Sequence, residues 1–364
     1  MAVYDITEDY QDLKPPVINT GVIGWLRNNL FNTWYNSLLT LLFLYLLWMV
    51  VPPFIRWALI DSHWASTSAE CHQSGGACWS IIHANIRFII FGFYPPAEQW
   101  RPLTAMIILF ALLMVSRNRK WWSRYLIFTW IAGLVVMGWL MKGGIFGLTA
   151  IDSSQWGGLP LTLTLSVFGL AAAYPLGVIL ALGRQSKLPV IRSLTIIYIE
   201  MIRGVPLISL LFMSAIIFPL FLPEGVTINK IIRAQAAIIM FTAAYVAEVV
   251  RGGLQAMPKG QYEAADSIGL NYVQTMRLII LPQALKIVIP PTVSILISAF
   301  KDTSLVVIIA LYDLLKTTQS TLSNPKWMGF STEAYLFVAL IYFICCYFMS
   351  TWSRKLEKEL STDR

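Results

Sequence analysis

Polar side chains interrupt the apolar sequence at a few places, and these are where the chain could bind a polar ligand. The run from 287 to 311 is apolar except for a charged pair and two hydroxyl side chains, Lys301, Asp302, Thr303 and Ser304. Ionisable groups are costly in a hydrocarbon environment unless they line a cavity or pair with one another. We therefore interpret these four residues as a candidate ligand path, with pairing among themselves as the alternative.

A second apolar run, from 194 to 222, contains Glu200, Arg203 and Pro206. Glu200 and Arg203 are one helical turn apart, so they could pair with each other, contact a ligand or lie at the membrane boundary. Pro206 has no backbone N–H, so a run of this length could tilt, break at this residue or include an interfacial turn. We include all three residues in the candidate ligand path.

The next apolar run, from 234 to 250, contains Glu248 near its end and is followed directly by Arg251 and Gly252. Charged groups at the end of a span can form ion pairs that hold the adjoining loop. The sequence therefore predicts that these three residues brace the loop 251–286, in preference to a contact with the ligand.

The segment 56–101 is the place where metal or catalytic chemistry could occur. It contains all three histidines and two of the four cysteines: His63, His72, His83, Cys71 and Cys78. The two cysteines could form a disulfide, remain as free thiols or, with histidines, hold a metal; their spacing fits no usual zinc pattern. The apolar runs pair no nucleophile with a histidine base, so we predict neither a catalytic residue nor a metal site.

Composition indicates an integral membrane protein. The chain has 364 residues, of which 57% are hydrophobic and 13% charged, and its mean hydropathy is +0.65. Such a chain exceeds the apolar content of ordinary globular domains. The net charge of +8 is typical of basic loops on one side of a membrane, so we predict no nucleic-acid partner. The expected fold class is an all-α bundle of transmembrane helices.

Eight apolar runs could cross the membrane, which would place both termini on the same side. With the N-terminus inside, the inner segments hold 17 Lys and Arg residues and the outer segments 8, so the charge bias predicts cytoplasmic termini. The acidic start of the chain is unlike a cleavable signal, and 81–94 is too short to span. The predicted spans are 34–55, 102–116, 124–142, 160–182, 194–222, 234–250, 287–311 and 333–352.

The polar loop 251–286 lies between two predicted spans, on the cytoplasmic side, where a soluble partner could bind it. Ala264, Ala265, Ile268, Tyr272 and Met276 recur at three- and four-residue spacings, which predicts that they share one side of a short helix. The acidic residues Glu263 and Asp266 are expected in its first turn, and Gly269 would permit a change of direction.

From about Gly157 onward the chain resembles the membrane-spanning subunit of type I ABC importers, in the branch that imports polar amino acids. The loop carries the family's signature, and residues 202–206, 244–248 and 301–305 resemble motifs of the branch. The length and the extra N-terminal spans resemble the longer permease of general L-amino acid importers. The signature residues are Glu263, Ala264, Ala265, Gly269, Ile279, Leu281 and Pro282.

The resemblance implies a bacterial inner-membrane permease that works by alternating access. It implies that the signature residues, with Asp266, couple to two cytoplasmic ATPase subunits. The further partners would be a second, related permease subunit, a periplasmic substrate-binding protein and an L-amino acid. No Walker A motif occurs in the chain, so we expect no cofactor here, with ATP and Mg bound by the ATPases.

Two other function classes remain open from the residues alone. An ion-driven secondary transporter would need no ATPase, and a membrane-embedded enzyme could use an outer site formed by His63, His72 and His83. The predicted domains follow from the spans and the resemblance. They are a cytoplasmic segment 1–33, an extension 34–156 with three spans, a permease domain 157–352 with five spans, and a cytoplasmic tail 353–364.

Overall fold

A computed structural model describes residues 21–223 and 225–361, without the side chains of 119, 360 and 361. The predicted all-α fold class is confirmed: in the described part the only strand is Tyr312–Asp313. Residues 1–20 of the predicted N-terminal segment and 362–364 of the predicted tail lie outside the described residues. The helices are α1 Gly21–Leu30, α2 Trp34–Ile55, α3 Ser68–Gln73, α4 Ser80–Phe91, α5 Trp100–Ser116, α6 Arg124–Lys142, α7 Gly158–Arg184, α8 Pro189–Gly204, α9 Leu207–Phe212, α10 Phe218–Leu220, α11 Lys230–Gln255, α12 Lys259–Ser267, α13 Tyr272–Gln274, α14 Leu281–Ile287, α15 Ile289–Asp302, α16 Leu314–Leu322 and α17 Ser331–Ser361.

Helices long and apolar enough to cross a membrane occur at each predicted span. In the part of the chain that the structure describes, seven are continuous, and an eighth crossing results if the bent pair formed by α8 and the segment 207–220 counts as one span. Three π-helical and several 3₁₀ segments extend or connect the α-helices. The π-helices are Arg56–Ile60, Met213–Ile217 and Thr275–Ile280, and the longest 3₁₀-helix is Thr303–Ile309.

The bend between α8 and α9 is the break that Pro206 makes possible. The two arms are bent by 103°. Val205 has φ −109° and ψ 133°, an extended conformation, because the ring of the following proline disfavours the helical one. Of the outcomes that the sequence allowed, the chain adopts the break.

The first compact unit of the fold extends to Trp79. None of the described residues of α2 is buried, as expected of a helix that faces lipid. Cys71 and Cys78 form a disulfide, and the indole of Trp79 donates to the Ala58 carbonyl at 2.8 Å. Within the described residues, no three His, Cys, Asp or Glu side chains form a set that could hold a metal ion.

The second unit, from Ser80 onward, is built around α7 and α11. Among its hydrophobic clusters, the first lies around Leu165, Ala234 and Leu211, and the second around Val246, Val250 and Ile280. Small residues let the two helices approach closely. A Cβ added at Gly177 would lie 2.6 Å from the Val246 Cβ, so the close packing requires glycine there.

The end of this unit at the start of α5 contains a buried arginine that sequence analysis counted only as a loop charge. Arg101 is 0% exposed, donates to the carbonyls of Leu140 at 2.9 Å and Thr149 at 3.0 Å, and forms an ion pair with Glu98 at 3.5 Å. It therefore fixes the connection between α6 and α7 to the start of α5. The short helix α4 packs against α7 and α16 and is not a ninth span.

Two adjacent glycines of α11 provide a matched test of this packing. A Cβ at Gly253 would lie 2.8 Å from the Ala284 carbonyl oxygen and would contact Val288, whereas one at Gly252 would have no atom within 4 Å. We expect Gly253→Ala to lower the free energy of unfolding by about 1–3 kcal/mol, because the helices must separate. Gly252→Ala should leave thermal unfolding in detergent unchanged or slightly improved, since alanine favours the helix. Equal effects of the two substitutions would contradict the packing.

Candidate functional site

The loop between α11 and α14 is not one helix but two short helical segments joined by a turn. Pro258 precedes α12, and Gly269 has φ +76°, a left-handed conformation that ends α12 and turns the chain. Asn271 then caps α13 through a reciprocal bond with Gln274. The loop returns to the membrane through the π-helix Thr275–Ile280 and α14.

The predicted position of the acidic residues in this loop is wrong. Because α12 starts at Lys259, directly after Pro258, Glu263 lies in its second turn and Asp266 near its end. Proline at the N-cap sets the start of the helix four residues earlier than the acidic pattern indicated. The carboxylates therefore do not offset the positive end of the helix dipole.

The predicted apolar face of the loop is also wrong, because it is divided between two surfaces. Ala265 is 0% and Met276 7% exposed, and Met276 belongs to the second hydrophobic cluster. Ile268 and Tyr272 are 72% and 54% exposed. Each set has one residue before and one residue after the turn at Gly269, so one side of the loop is buried and the other is open to a partner.

We call the open face the loop surface. It combines the exposed acid of the signature with exposed apolar side chains on both helical segments, so it offers an apolar contact area with one charge at its edge. Of the remaining signature residues, Ile279 and Leu281 pack against the core, and Pro282 is exposed. The loop surface consists of Glu263, Ala264, Ile268, Tyr272, Val273 and Leu278.

Glu248 is the centre of an ion-pair cluster between α7, α8 and α11. Its carboxylate accepts two hydrogen bonds of 3.0 Å from Arg251 Nε, and lies 3.3 Å from Arg184 and 3.7 Å from Arg203. Arg184 also pairs with Glu200 at 2.9 Å. Three arginines and two glutamates thus join three helices at the end of the bundle next to the loop.

These contacts differ from the pairing that the sequence made possible. Glu200 pairs with Arg184, and Arg203 with Glu248, so the two residues one turn apart are not partners of each other. Sequence analysis missed Arg184, since a basic residue just after an apolar run gave no sign of a partner 64 positions away.

The predicted bracing residues have unequal roles in the structure. Arg251 contacts Glu248 and also donates to Gln255 at 2.6 Å, which holds the last turn of α11 above the loop. A Cβ added at Gly252 would have no atom within 4 Å, whereas the neighbouring Gly253 is the glycine that close packing requires. A further contact, from Gln283 to Gln261 at 3.3 Å, connects the two arms of the loop.

The candidate ligand path contains a cavity of about 410 Å³. Asp302 lines it together with Tyr245, Thr242 and Ser298, and the Arg203 guanidinium lies 5.4 Å from the centre of the Tyr245 ring. The cavity therefore combines a carboxylate, the four hydroxyl groups of Thr242, Tyr245, Ser294 and Ser298, and a nearby cation.

The other three residues of the 301–304 motif do not line this cavity. Lys301 is exposed, whereas Thr303 is 0% exposed and donates to the Phe300 carbonyl at 2.7 Å. Ser304 is half-buried. The α-helix ends at Asp302 and continues as a 3₁₀-helix from Thr303, which rotates successive side chains away from one another.

A buried acid at the start of α16 was not identified from the sequence. Asp313 is 0% exposed, accepts the backbone N–H of Lys316 at 2.9 Å and that of Leu315 at 3.2 Å, and thereby caps α16. It lies between the last two spans, and burial raises its pKa to about 6. Its role is structural: the side chain of Asp313 caps α16, and its backbone pairs with Gly158, so that the strand Tyr312–Asp313 is held against the start of α7.

Comparisons with known proteins agree with this architecture. Residues 173–362 match the model of a family described as the inner membrane component of binding-protein-dependent transport systems. The chain is 48% identical over 93% of both sequences to the inner membrane amino-acid ABC transporter permease protein YhdY of Escherichia coli (strain K12). It is 37% identical over 98% of both sequences to the glutamate/glutamine/aspartate/asparagine transport system permease protein BztC of Rhodobacter capsulatus.

A solved structure extends the agreement to the fold. The crystal structure of an amino acid ABC transporter with histidines superposes with a TM-score of 0.50 and 31% identity, over 56% of this chain and 92% of that one. The family match covers more than half of the chain and includes the signature loop, the Glu248 cluster and the 410 Å³ cavity. The chain therefore belongs to the family of inner membrane components of binding-protein-dependent transport systems.

Proposed function

We propose that this chain is the permease subunit of an ATP-driven importer that takes up L-amino acids from a periplasmic binding protein by alternating access. The observation that carries the proposal is the 48% identity, over 93% of the chain, to a permease named for amino-acid transport. The relatives are transport subunits, which argues against the membrane-embedded enzyme. The family is defined by binding-protein-dependent transport, which argues against the ion-driven transporter.

In this proposal the loop surface binds a cytoplasmic ATPase subunit, and the second permease, a related chain, presents a similar loop to a second ATPase. ATP and Mg would be bound by those ATPases. The divided face of the loop supports this role, because Met276 on its buried side belongs to the core cluster around Val250 and Ile280. A push on the loop surface would thus reach α11 and α14. The charge bias supports cytoplasmic termini in the bacterial inner membrane.

We further propose that the substrate passes the 410 Å³ cavity. Asp302 would attract the ammonium group of an amino acid, and Arg203 its carboxylate, since opposite charges in a water-excluded site interact strongly. Lys301 is exposed on the same turn as Asp302, where it would face the second permease and complete the path between the two subunits.

The proposed function is tested by transport in proteoliposomes. The chain is co-expressed with a second permease and an ATPase from the same cell, purified, and supplied with a binding protein and labelled L-amino acids. Uptake should require ATP on the side of the vesicle membrane where the ATPase subunit lies. It should stop when a non-hydrolysable analogue replaces ATP. Uptake driven by an ion gradient without ATP would overturn the proposal, as would failure of an ATPase subunit to co-purify.

The role of Lys301 gives a separate prediction. Lys301→Ala should lower uptake at subsaturating substrate about tenfold, because a charge-assisted contact contributes about 1.5–3 kcal/mol. Co-purification of the ATPase subunit should be unchanged. Lys230→Ala, which removes an exposed lysine from the start of α11, is the matched control and should leave uptake unaffected. Equal uptake by Lys301→Ala and the unmodified chain would remove Lys301 from the path.

A further inference from the structure

A second cavity lies between the loop and the ends of α7, α8 and α11. It has a volume of about 820 Å³, twice that of the candidate substrate cavity. Its lining is strongly basic, with four cationic side chains and one carboxylate. The charged residues that line it are Arg184, Lys187, Arg192, Arg251 and Asp266.

The cations of this cavity are only partly neutralised within the chain. Arg184 and Arg251 share the carboxylate of Glu248. Lys187 and Arg192 form no ion pair with any residue between 21 and 361 that the structure describes. These two positive charges therefore face the cavity without an ion-pair partner, and because Asp266 is the one carboxylate of the lining, the cavity keeps an excess of positive charge, which favours an anionic ligand.

A buried hydroxyl in the cavity lining points independently to a ligand. Thr275 is 4% exposed, lines the cavity, and its Oγ1 has no hydrogen-bond partner among the described groups. Several other buried threonines donate to a carbonyl of the preceding turn, as Thr195 does to Ile191 at 2.7 Å, whereas Thr292, like Thr275, has no such partner. An unsatisfied buried hydroxyl costs about 1–3 kcal/mol, so a ligand oxygen that pairs with Thr275 would remove that cost.

The surroundings narrow the chemistry of the anion. Ammonium, guanidinium and hydroxyl donors arranged around one space suit the several oxygens of a phosphate group. Three exposed apolar side chains lie at the start of α8, next to the two unpaired cations, and provide an apolar surface for an attached hydrocarbon chain. They belong to the N-cap residue Leu188, to Ile191 and to Leu194. Basic pockets between transmembrane helices on the cytoplasmic side bind anionic lipid headgroups in other membrane proteins.

We propose that the 820 Å³ cavity binds a phosphate-bearing anion, which is either the headgroup of an anionic phospholipid or free phosphate. The ligand would contact Lys187, Arg192 and Thr275 and would bridge α8 to the start of the π-helix Thr275–Ile280. Occupancy would stiffen the connection between the loop and α8, so the site would regulate whatever movement the loop transmits. This proposal does not depend on which substrate crosses the membrane.

The test measures binding of defined probes to the full-length chain, purified in detergent with the subunits that co-purify with it. The probes are short-chain phosphatidylglycerol, short-chain phosphatidylcholine and inorganic phosphate, titrated by a thermal-shift assay and native mass spectrometry. Phosphatidylglycerol should bind, and salt should weaken its binding. Binding of inorganic phosphate as well would identify the phosphate group as the recognised part, whereas binding of the lipid alone would identify the headgroup with its chains. Equal binding of phosphatidylcholine would overturn the proposal.

Variants decide whether binding occurs in this cavity. Lys187→Gln with Arg192→Gln should weaken phosphatidylglycerol binding at least about tenfold. The matched control, Arg117→Gln with Lys120→Gln, removes two exposed cations from another loop and should change it less than twofold. Thr275→Val, which keeps size and charge, should weaken binding about three- to tenfold. Equal losses in the two double variants would overturn the proposal. Crosslinking of an Arg192→Cys variant to a co-purified subunit, with displacement of the lipid, would also overturn it.

Discussion

Glu263→Lys is expected to reduce ATP-dependent uptake at least about a hundredfold while the subunit still inserts and folds. Glu263 is exposed on the loop surface, so reversal of its charge leaves the interior of the chain intact. A docked carboxylate that becomes an ammonium loses its partner and repels it, which costs several kcal/mol in a desolvated interface. Uptake in proteoliposomes and co-purification of the ATPase subunit measure the effect, and both should fall.

The matched control for this substitution is Glu357→Lys at the end of α17. Glu357 is also exposed, so the substitution makes the same change of charge outside the loop surface and should leave uptake intact. Glu263→Gln should have an intermediate effect, because it keeps the size and removes only the charge. Uptake by Glu263→Lys at the level of the unmodified chain would contradict a docking role for the loop surface.

Glu248→Gln is the substitution with the largest expected effect on stability. It leaves the guanidinium groups of Arg184, Arg203 and Arg251 without the carboxylate they share. Removal of one partner from a buried ion pair costs about 3–5 kcal/mol, and the 22% exposure of Glu248 reduces this to about 2–3 kcal/mol. Thermal unfolding in detergent should show the loss, and uptake should fall with it because α7, α8 and α11 lose their common anchor.

A second carboxylate in an ion pair provides the comparison. Glu359 pairs with Lys355 at 3.5 Å near the end of α17, where both side chains are about one-third to one-half exposed. Glu359→Gln should change the free energy of unfolding by less than about 0.5 kcal/mol. A stability loss of similar size in both variants would show that the Glu248 cluster contributes no more than a surface pair.

The transmembrane bundle was predictable because hydrocarbon imposes a simple requirement on sequence. Each span must be long, apolar and helical, so the eight runs were visible without any knowledge of how they pack. The break at Pro206 followed from a missing backbone donor. The burial of Arg101 was not visible, because it depends on carbonyls that distant elements supply. The capping role of Asp313 is local, since Asp313 accepts from Leu315 and Lys316, and an Asp directly before a helix is a signal that could have indicated it.

The loop was predictable in position but not in shape. Its polarity and signature marked it as a partner-binding segment, yet the helical spacing of Ala264, Ala265, Ile268, Tyr272 and Met276 gave one face where the structure has two. Gly269 accounts for part of the difference, because a residue with positive φ ends α12 and resets the register of all later residues. Before that turn, Ala265 is already buried whereas Ala264 and Ile268 are exposed. The start of α12 was missed for a similar local reason, since Pro258 fixed it before the acidic residues.

The Glu248 cluster was found in part, through the residues that lie in or next to apolar runs. Arg203, Glu248 and Arg251 were singled out, but their partners were not, because ion pairs between α7, α8 and α11 depend on how the helices cross. Arg184 had the same sequence context as any basic residue that ends a span. Contacts of this kind become visible only when the packing of the helices is known.

The sharing of one carboxylate by three guanidinium groups makes the cluster asymmetric in its tolerance to substitution. Loss of either Arg184 or Arg203 leaves Glu248 with two cations and brings the five-residue cluster from one excess positive charge to neutrality. Loss of the glutamate leaves three cations facing a single remaining acid. The three arginines can therefore partly substitute for one another around Glu248, whereas no other described residue can take the place of Glu248. The cluster should tolerate the replacement of one arginine better than the replacement of Glu248.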